Sequence, residues 1–289
     1  MNPAFPKVVI FGVGLIGGSF SLALRRELAV TEVVGFGRST ANLEQAKQLG
    51  ILDRIGSNVA SEVGDADLVL IATPVAQMAE IFARIAPHLG PNTLVTDGGS
   101  TKGDVVAAAR ANLGGKIAQF IPAHPIAGTE KSGAAAALAV LYEGRRVVLT
   151  PLPENSKESV ARVRHAWEEC GANVSELTAQ QHDEVFAAVS HLPHLLSFAL
   201  VHDLAQRDNR DQLLSFAASG FRDFTRIAAS SPEMWRDISL ANREALLKEV
   251  KRYADELYVV YHALENNDAA KLEEIFSLAR EVRSAWTPQ

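Results

Sequence analysis

Short apolar runs, separated by longer mixed segments, fill the first half of the chain. They are KVVIF (7–11), EVVGF (32–36), DLVLIA (67–72), TLVTD (93–97), QFIPA (119–123) and RRVVLT (145–150). Near-continuous apolarity, rich in β-branched residues, is the pattern of strands buried on both faces. Between them lie stretches such as SFSLALRREL (19–28) and VAQMAEIFARIAPHL (75–89), whose periodicity predicts helices. This alternation predicts a doubly wound, mostly parallel α/β sheet covered on both faces. ANVSEL (172–177) predicts a last, edge strand.

After about Thr178 the pattern changes. HDEVFAAVSHLPHLLSFALVHDLAQ (182–206) and the segments around 212–229, 233–265 and 268–285 carry helical periodicity. Two domains are expected, 1–176 α/β and 177–289 all-α. A helix apolar on most sides must be buried, and one small helical domain cannot bury this much surface alone. The expectation is therefore a homodimer with a shared helical core. The alternative is a monomer whose helices pack on the α/β domain.

Composition narrows the class. The chain has 289 residues, of which 47% are hydrophobic, and a net charge of −6. That supports a sizeable core and argues against disorder and against a broad nucleic-acid footprint. No apolar run reaches bilayer-crossing length on this reading. The start, MNPAFPKVVIFG, lacks the regions of a signal peptide. Cys170, the single cysteine, makes neither an internal disulfide nor a zinc cluster. The expectation is a soluble, cytoplasmic protein with no membrane or nucleic-acid partner.

Gly12-Val13-Gly14-Leu15-Ile16-Gly17 fits G-x-G-x-x-G, follows the first strand and opens a helix. In that context the spacing is a Rossmann dinucleotide fingerprint. Gly12 makes the tight turn, Gly14 admits the pyrophosphate to the backbone, and Gly17 lets helix and strand pack closely. The second strand ends in Gly37, where an NAD enzyme usually has an acidic residue for the ribose. Arg38, Ser39 and Thr40 follow. A guanidinium suits a 2′-phosphate, so NADP is the preferred cofactor, with NAD as the alternative if Arg38 is only a solvated surface residue. Thr73 and Pro74 close the third long strand, and Asp97 to Lys102 the next; both stretches are placed to line the nicotinamide half of the cleft. Ser100 fits either a helix N-cap or a catalytic position.

His124 lies in AHPIAGTEKSG (123–133). A residue before proline is held extended, so this histidine is fixed in a loop of small residues. GVGLIGGS (12–19), DGGSTK (97–102), HPIAGTEKSG (124–133), SHLPH (190–194) and GFRDFTRIAASSPEMWRDI (220–238) occur in the order found in the prephenate and arogenate dehydrogenases of tyrosine biosynthesis. The chain resembles that family over nearly its whole length. The resemblance implies a Rossmann domain followed by an all-α dimerisation domain. It also implies hydride transfer to a nicotinamide cofactor, with decarboxylation of a cyclohexadienol to a phenol.

By this resemblance His124 is the catalytic base toward the substrate's 4-hydroxyl. Ser100 lies near the nicotinamide and orients the histidine and the hydroxyl. Glu130 stands at the mouth of the site, His194 meets the substrate side chain, and Arg226 binds a substrate carboxylate. Arg226 three residues after Asp223 also suits an intrahelical pair, and Arg222 is a second candidate. Trp235 fits either a pocket wall or the core. His191 and His194, three apart, suggest a metal pair only weakly, since no third ligand is evident; no metal is expected, and His191 reads as structural. Two other readings are a β-hydroxyacid-type dehydrogenase or pyrroline-carboxylate reductase on the same architecture, and a non-catalytic dinucleotide sensor. The first usually relies on a lysine in the helical domain, where this chain has histidine and arginine motifs. The second predicts loss of His124, Ser100 or Arg226, all of which are present.

Overall fold

A computed structural model of the chain describes residues 3–128 and 131–287. Nine strands are present among them: β1 (Phe5–Phe11), β2 (Val30–Phe36), β3 (Arg54–Ile55), β4 (Leu68–Ile71), β5 (Leu94–Asp97), β6 (Phe120–Ile121), β7 (Ala123–Pro125), β8 (Arg146–Leu149) and β9 (Asn173–Glu176). The first six form one sheet in the order β3-β2-β1-β4-β5-β6, parallel throughout. β4 and β5 are wholly buried, as is β1 from Val8 to Phe11, which explains their continuous apolarity. One core cluster, including Phe20, Tyr142 and Trp167, packs on one face; another, including Met78, Phe82 and Phe120, packs on the other.

QFIPA is not one strand. Phe120 and Ile121 stay in the main sheet, while Ala123 to Pro125 pair antiparallel with β8 in a second sheet, β7-β8-β9. Pro122 between them has no N–H for a ladder, so the chain changes sheets there. RRVVLT therefore belongs to this second sheet, not the main one. ANVSEL supplies its edge, β9, parallel to β8. The short strand β3 has no counterpart in the sequence reading.

Beyond β9 the described residues form helices and the turns between them. Ala179–Phe186 begins at a capping box of Thr178 and Gln181. A π turn, Ala187–His191, joins it to Leu192–Ala205. Pro193, which lacks an N–H, falls just after the wider turn and the helix continues through it. The resulting run, Ala179–Ala205, has 27 residues and is long and apolar enough by composition to span a bilayer, contrary to the sequence expectation. Length and composition are all that this criterion tests, and the helix brings His182 and Asp183 into contact with the α/β domain.

The long helices Arg243–Glu265 and Ala269–Ala285 pack on each other but bury little else. Leu257, Tyr258, Tyr261, Leu264, Phe276 and Leu278 are each more than half exposed. So large an apolar face is unusual on an isolated chain and marks a contact surface.

Candidate active site

The fingerprint has the geometry that its glycines require. Gly12 has φ +92°, and a Cβ there would stand 2.5 Å from the Ala72 carbonyl oxygen. A Cβ on Gly17 would stand 2.3 Å from the Gly12 carbonyl oxygen. Around Gly14 there is open space, and the helix Leu15–Arg26 begins there with no side-chain cap. Its first N–H groups are therefore free for an anion. Beside it lies a cleft of about 750 Å³ whose lining includes Gly12, Gly14, Arg38, Ser39, Thr73 and Pro74. The Thr73 hydroxyl is buried without a partner. Free amides, an open backbone and an unpartnered hydroxyl fit a dinucleotide.

Other cofactor candidates divide. Leu15 and Ile16 form the first turn of the fingerprint helix. The Ile16 carbonyl accepts from the Tyr142 hydroxyl at 2.6 Å. Ser39 caps the helix Thr40–Gln48, its hydroxyl accepting from the Asn42 amide. Thr40, on the first turn of that helix, is exposed and outside the cleft lining. Asn42 was not foreseen. Its Nδ2 donates to the Val13 carbonyl at 2.7 Å, and its Oδ1 accepts from the Ala134 amide at 2.8 Å. It ties the fingerprint loop to the far end of the His124 segment.

His124 sits in β7, extended as expected, between buried Ala123 and Pro125. A buried ion pair holds this strand against the end of β5. Lys102 Nζ donates to Asp97 Oδ2 at 2.5 Å and to the Ala123 carbonyl at 2.7 Å, while Asp97 Oδ1 accepts from the Ala123 amide at 3.0 Å. Gly98, following β5, faces Ile16 and Pro125, so the fingerprint helix and the histidine strand meet there.

Ser100 lies on this turn, half-buried, but does not cap a helix. The helix Gly103–Leu113 starts three residues later, and its first amides are taken by another domain. Asp183 accepts from the Lys102 amide at 2.9 Å and from the Gly103 amide at 2.7 Å. His182 Nδ1 meets Asp183 Oδ1 at 2.8 Å, and His182 Nε2 meets His124 Nδ1 at 2.8 Å. His182 and Asp183 were not singled out from the sequence. Their only signal was a polar pair opening an apolar helix.

Across the site, His194 Nδ1 donates to the Ser190 carbonyl at 2.9 Å. Its ring stacks on Trp235, centroids 3.6 Å apart at 19°. Trp235 is thus both buried and a wall behind His194. His191 is buried and held through Nδ1 by the Asn242 amide, which also donates to the Asp183 carbonyl oxygen at 2.7 Å. Arg226 opens the turn Arg226–Ala229, exposed, and its charge reaches His194. It is not paired with Asp223, which instead takes Arg222 at 3.2 Å. Glu130 lies outside the described residues. Among the described residues no group of three or more His, Cys, Asp or Glu stands together to hold a metal.

Burial lowers the pKa of the four histidines of the site, His124, His182, His191 and His194. His124 falls well below its usual value, with the charges of His182, Lys102 and His191 adding to burial. His182 and His194 are also lowered, and His191 is pushed down to about 4. Unfolded histidines take up protons below about pH 6.5, whereas these resist until lower pH. Stability contributed by keeping them neutral is therefore complete above that pH and is lost as pH falls. The denaturant midpoint should be lower at pH 5 than at pH 7.5. An equal or higher midpoint at pH 5 would contradict this assignment.

A dinucleotide cleft at the carboxyl ends of parallel strands, with a buried-strand histidine beside the end of β5 and against the helical domain, defines a nicotinamide-dinucleotide-dependent dehydrogenase. Comparison with known proteins places it more closely. Residues 20–176 match the prephenate dehydrogenase nucleotide-binding domain, and 178–278 match the prephenate dehydrogenase dimerization domain. The prephenate dehydrogenase of Bacillus subtilis is 36% identical over 98% of this chain and 76% of its own length. The cyclohexadienyl dehydrogenase of Zymomonas mobilis is 33% identical over 97% of this chain and 96% of its own. The crystal structure of the Aquifex aeolicus prephenate dehydrogenase with hydroxyphenyl propionate and NAD+ superimposes with a TM-score of 0.89, at 35% identity, covering 96% of this chain and 98% of that one. The chain belongs to the prephenate dehydrogenase family.

Proposed function

We propose that this protein converts prephenate, arogenate or both to 4-hydroxyphenylpyruvate or tyrosine, with loss of carbon dioxide. The observation that carries this reading is the placement of His124, against His182 and Phe186 of the helical domain and on the strand whose Pro125 meets Gly98 beside the fingerprint helix. His124 takes the proton of the 4-hydroxyl through Nε2. The bound nicotinamide supplies the hydride acceptor. Ser100, on the turn after β5, orients the hydroxyl. Arg226 engages a substrate carboxylate, and a guanidinium does so through two parallel bonds. His194, braced by Trp235, faces the side-chain end. A kinetic matrix of each substrate with each cofactor tests the reading. Turnover with at least one substrate is expected; none in any combination would refute it.

We also infer a preference for NADP. Gly37, not a carboxylate, follows β2, and Arg38 and Arg84 both line the cleft. The Aquifex relative bound to NAD+ keeps NAD in the comparison. Arg38→Ala should shift the ratio of kcat/KM values toward NAD by about tenfold, the worth of one charged phosphate contact. An unchanged ratio would remove Arg38 from that role.

A second copy of the chain is the proposed cover for the exposed apolar face of the last two helices. The match of 178–278 to a dimerization domain supports it. Light scattering should return about twice the 31.1 kDa chain mass. A monomer at micromolar concentration would contradict it.

A further inference from the structure

We propose that Asp183 and His182 are positioning residues that fix the tautomer of His124, leaving Nε2 as its bare, proton-accepting nitrogen. The inference rests on the dehydrogenase reading above, but its geometry stands independently. Asp183 accepts two backbone amides at the start of the helix Gly103–Leu113. Both bonds require a carboxylate oxygen, and the helix terminus favours negative charge there. Burial alone would raise the Asp183 pKa, but the hydrogen bonds from His182, Gly103 and Lys102 more than reverse it.

An ionised Asp183 can only accept, so His182 Nδ1 must carry the hydrogen in their 2.8 Å contact. Neutral His182 then has a lone pair at Nε2. That nitrogen faces His124 Nδ1 at 2.8 Å, so His124 Nδ1 must donate. A neutral imidazole has one hydrogen, and His124 Nε2 is left bare. When the substrate proton arrives on Nε2, both nitrogens of His124 carry hydrogen. The new positive charge is met along the hydrogen-bonded row ending at Asp183. No proton need leave His124 until product release.

The other groups around His124 do not duplicate this role. Phe186 packs on its ring at 4.9 Å and offers no acceptor. Lys102 is a cation already committed to Asp97 and the Ala123 carbonyl. His191 is engaged by Asn242.

One consequence concerns the two domains. The same carboxylate that orders the imidazole row caps a helix of the cofactor domain. Docking of the helical domain and arming of the base are therefore one event. His124 in a separated α/β domain would have no imposed tautomer.

The test uses the whole protein loaded with oxidised cofactor. Nitrogen-15 NMR of labelled histidines, with His124→Asn assigning the signals, reads which ring nitrogen of His124 is protonated at neutral pH. The expected result is hydrogen at Nδ1 and none at Nε2. Kinetically, His182→Leu removes the acceptor and should lower kcat about a hundredfold, with KM for substrate within about threefold. His182→Gln presents an amide oxygen to Nδ1–H and should restore at least tenfold of that loss. Asp183→Asn should lower kcat and mix the His124 tautomers. Hydrogen at Nε2 in the unaltered protein would overturn the proposal. So would wild-type kcat in a folded His182→Leu, or a glutamine variant no faster than the leucine one. The NMR arm needs no substrate, so failure of the proposed reaction would leave it readable.

Discussion

Replacing His124 with asparagine should lower turnover by about 10²- to 10⁴-fold, the usual worth of a general base. Cofactor binding should be retained, because the cleft around Gly12, Gly14, Thr73 and Pro74 does not include residue 124. Asparagine keeps a polar side chain of similar reach and can still hydrogen-bond His182. What it lacks is a basic lone pair of suitable pKa. Dinucleotide titration and steady-state kinetics on the same preparation separate the two effects. Turnover within about threefold of the unaltered protein would remove His124 from proton transfer. The rate should also persist below pH 6.5, because burial holds the imidazole neutral to lower pH than usual.

The largest stability effect should come from Lys102, a residue with no direct part in the chemistry. Its ammonium and the Asp97 carboxylate are both fully buried. Lys102→Met keeps the length of the side chain but leaves Asp97 charged, buried and satisfied only by the Ala123 and Gly99 amides. Breaking a buried pair by removing one partner costs about 3–5 kcal/mol. At about 2–4 °C per kcal/mol for a protein of this size, the thermal midpoint should fall by about ten degrees. Activity should fall with it, because Lys102 also holds the Ala123 carbonyl and hence the strand carrying His124. An unchanged midpoint would mean that the pair contributes little.

Legibility from sequence followed the range of the forces involved. The fingerprint was readable because its glycines answer to sterics within a few residues and its context is a strand and a helix in sequence. The extended backbone of His124 was readable because Pro125 dictates it locally. The change of sheet at Pro122 was missed, since β7 pairs with β8 more than twenty residues later and apolarity alone does not say which sheet a strand joins. Ser100 satisfied the local rule for an N-cap, yet Asp183, 81 residues from Lys102, took the amides instead. His182 and Asp183 escaped for the same reason: their partners are in another domain. Arg226 was drawn toward Asp223 by helical spacing, but the helix Ser219–Thr225 ends before it, and Asp223 pairs with its neighbour Arg222.

The most direct test of the central claim is the stoichiometry of one reaction. Purified protein is mixed with prephenate and excess oxidised dinucleotide, and reduced cofactor, carbon dioxide and aromatic product are counted together. The expected result is one of each per prephenate consumed, with His124→Asn slowing all three in parallel. Reduced cofactor without carbon dioxide, or no reduction with prephenate or arogenate, would contradict the assignment.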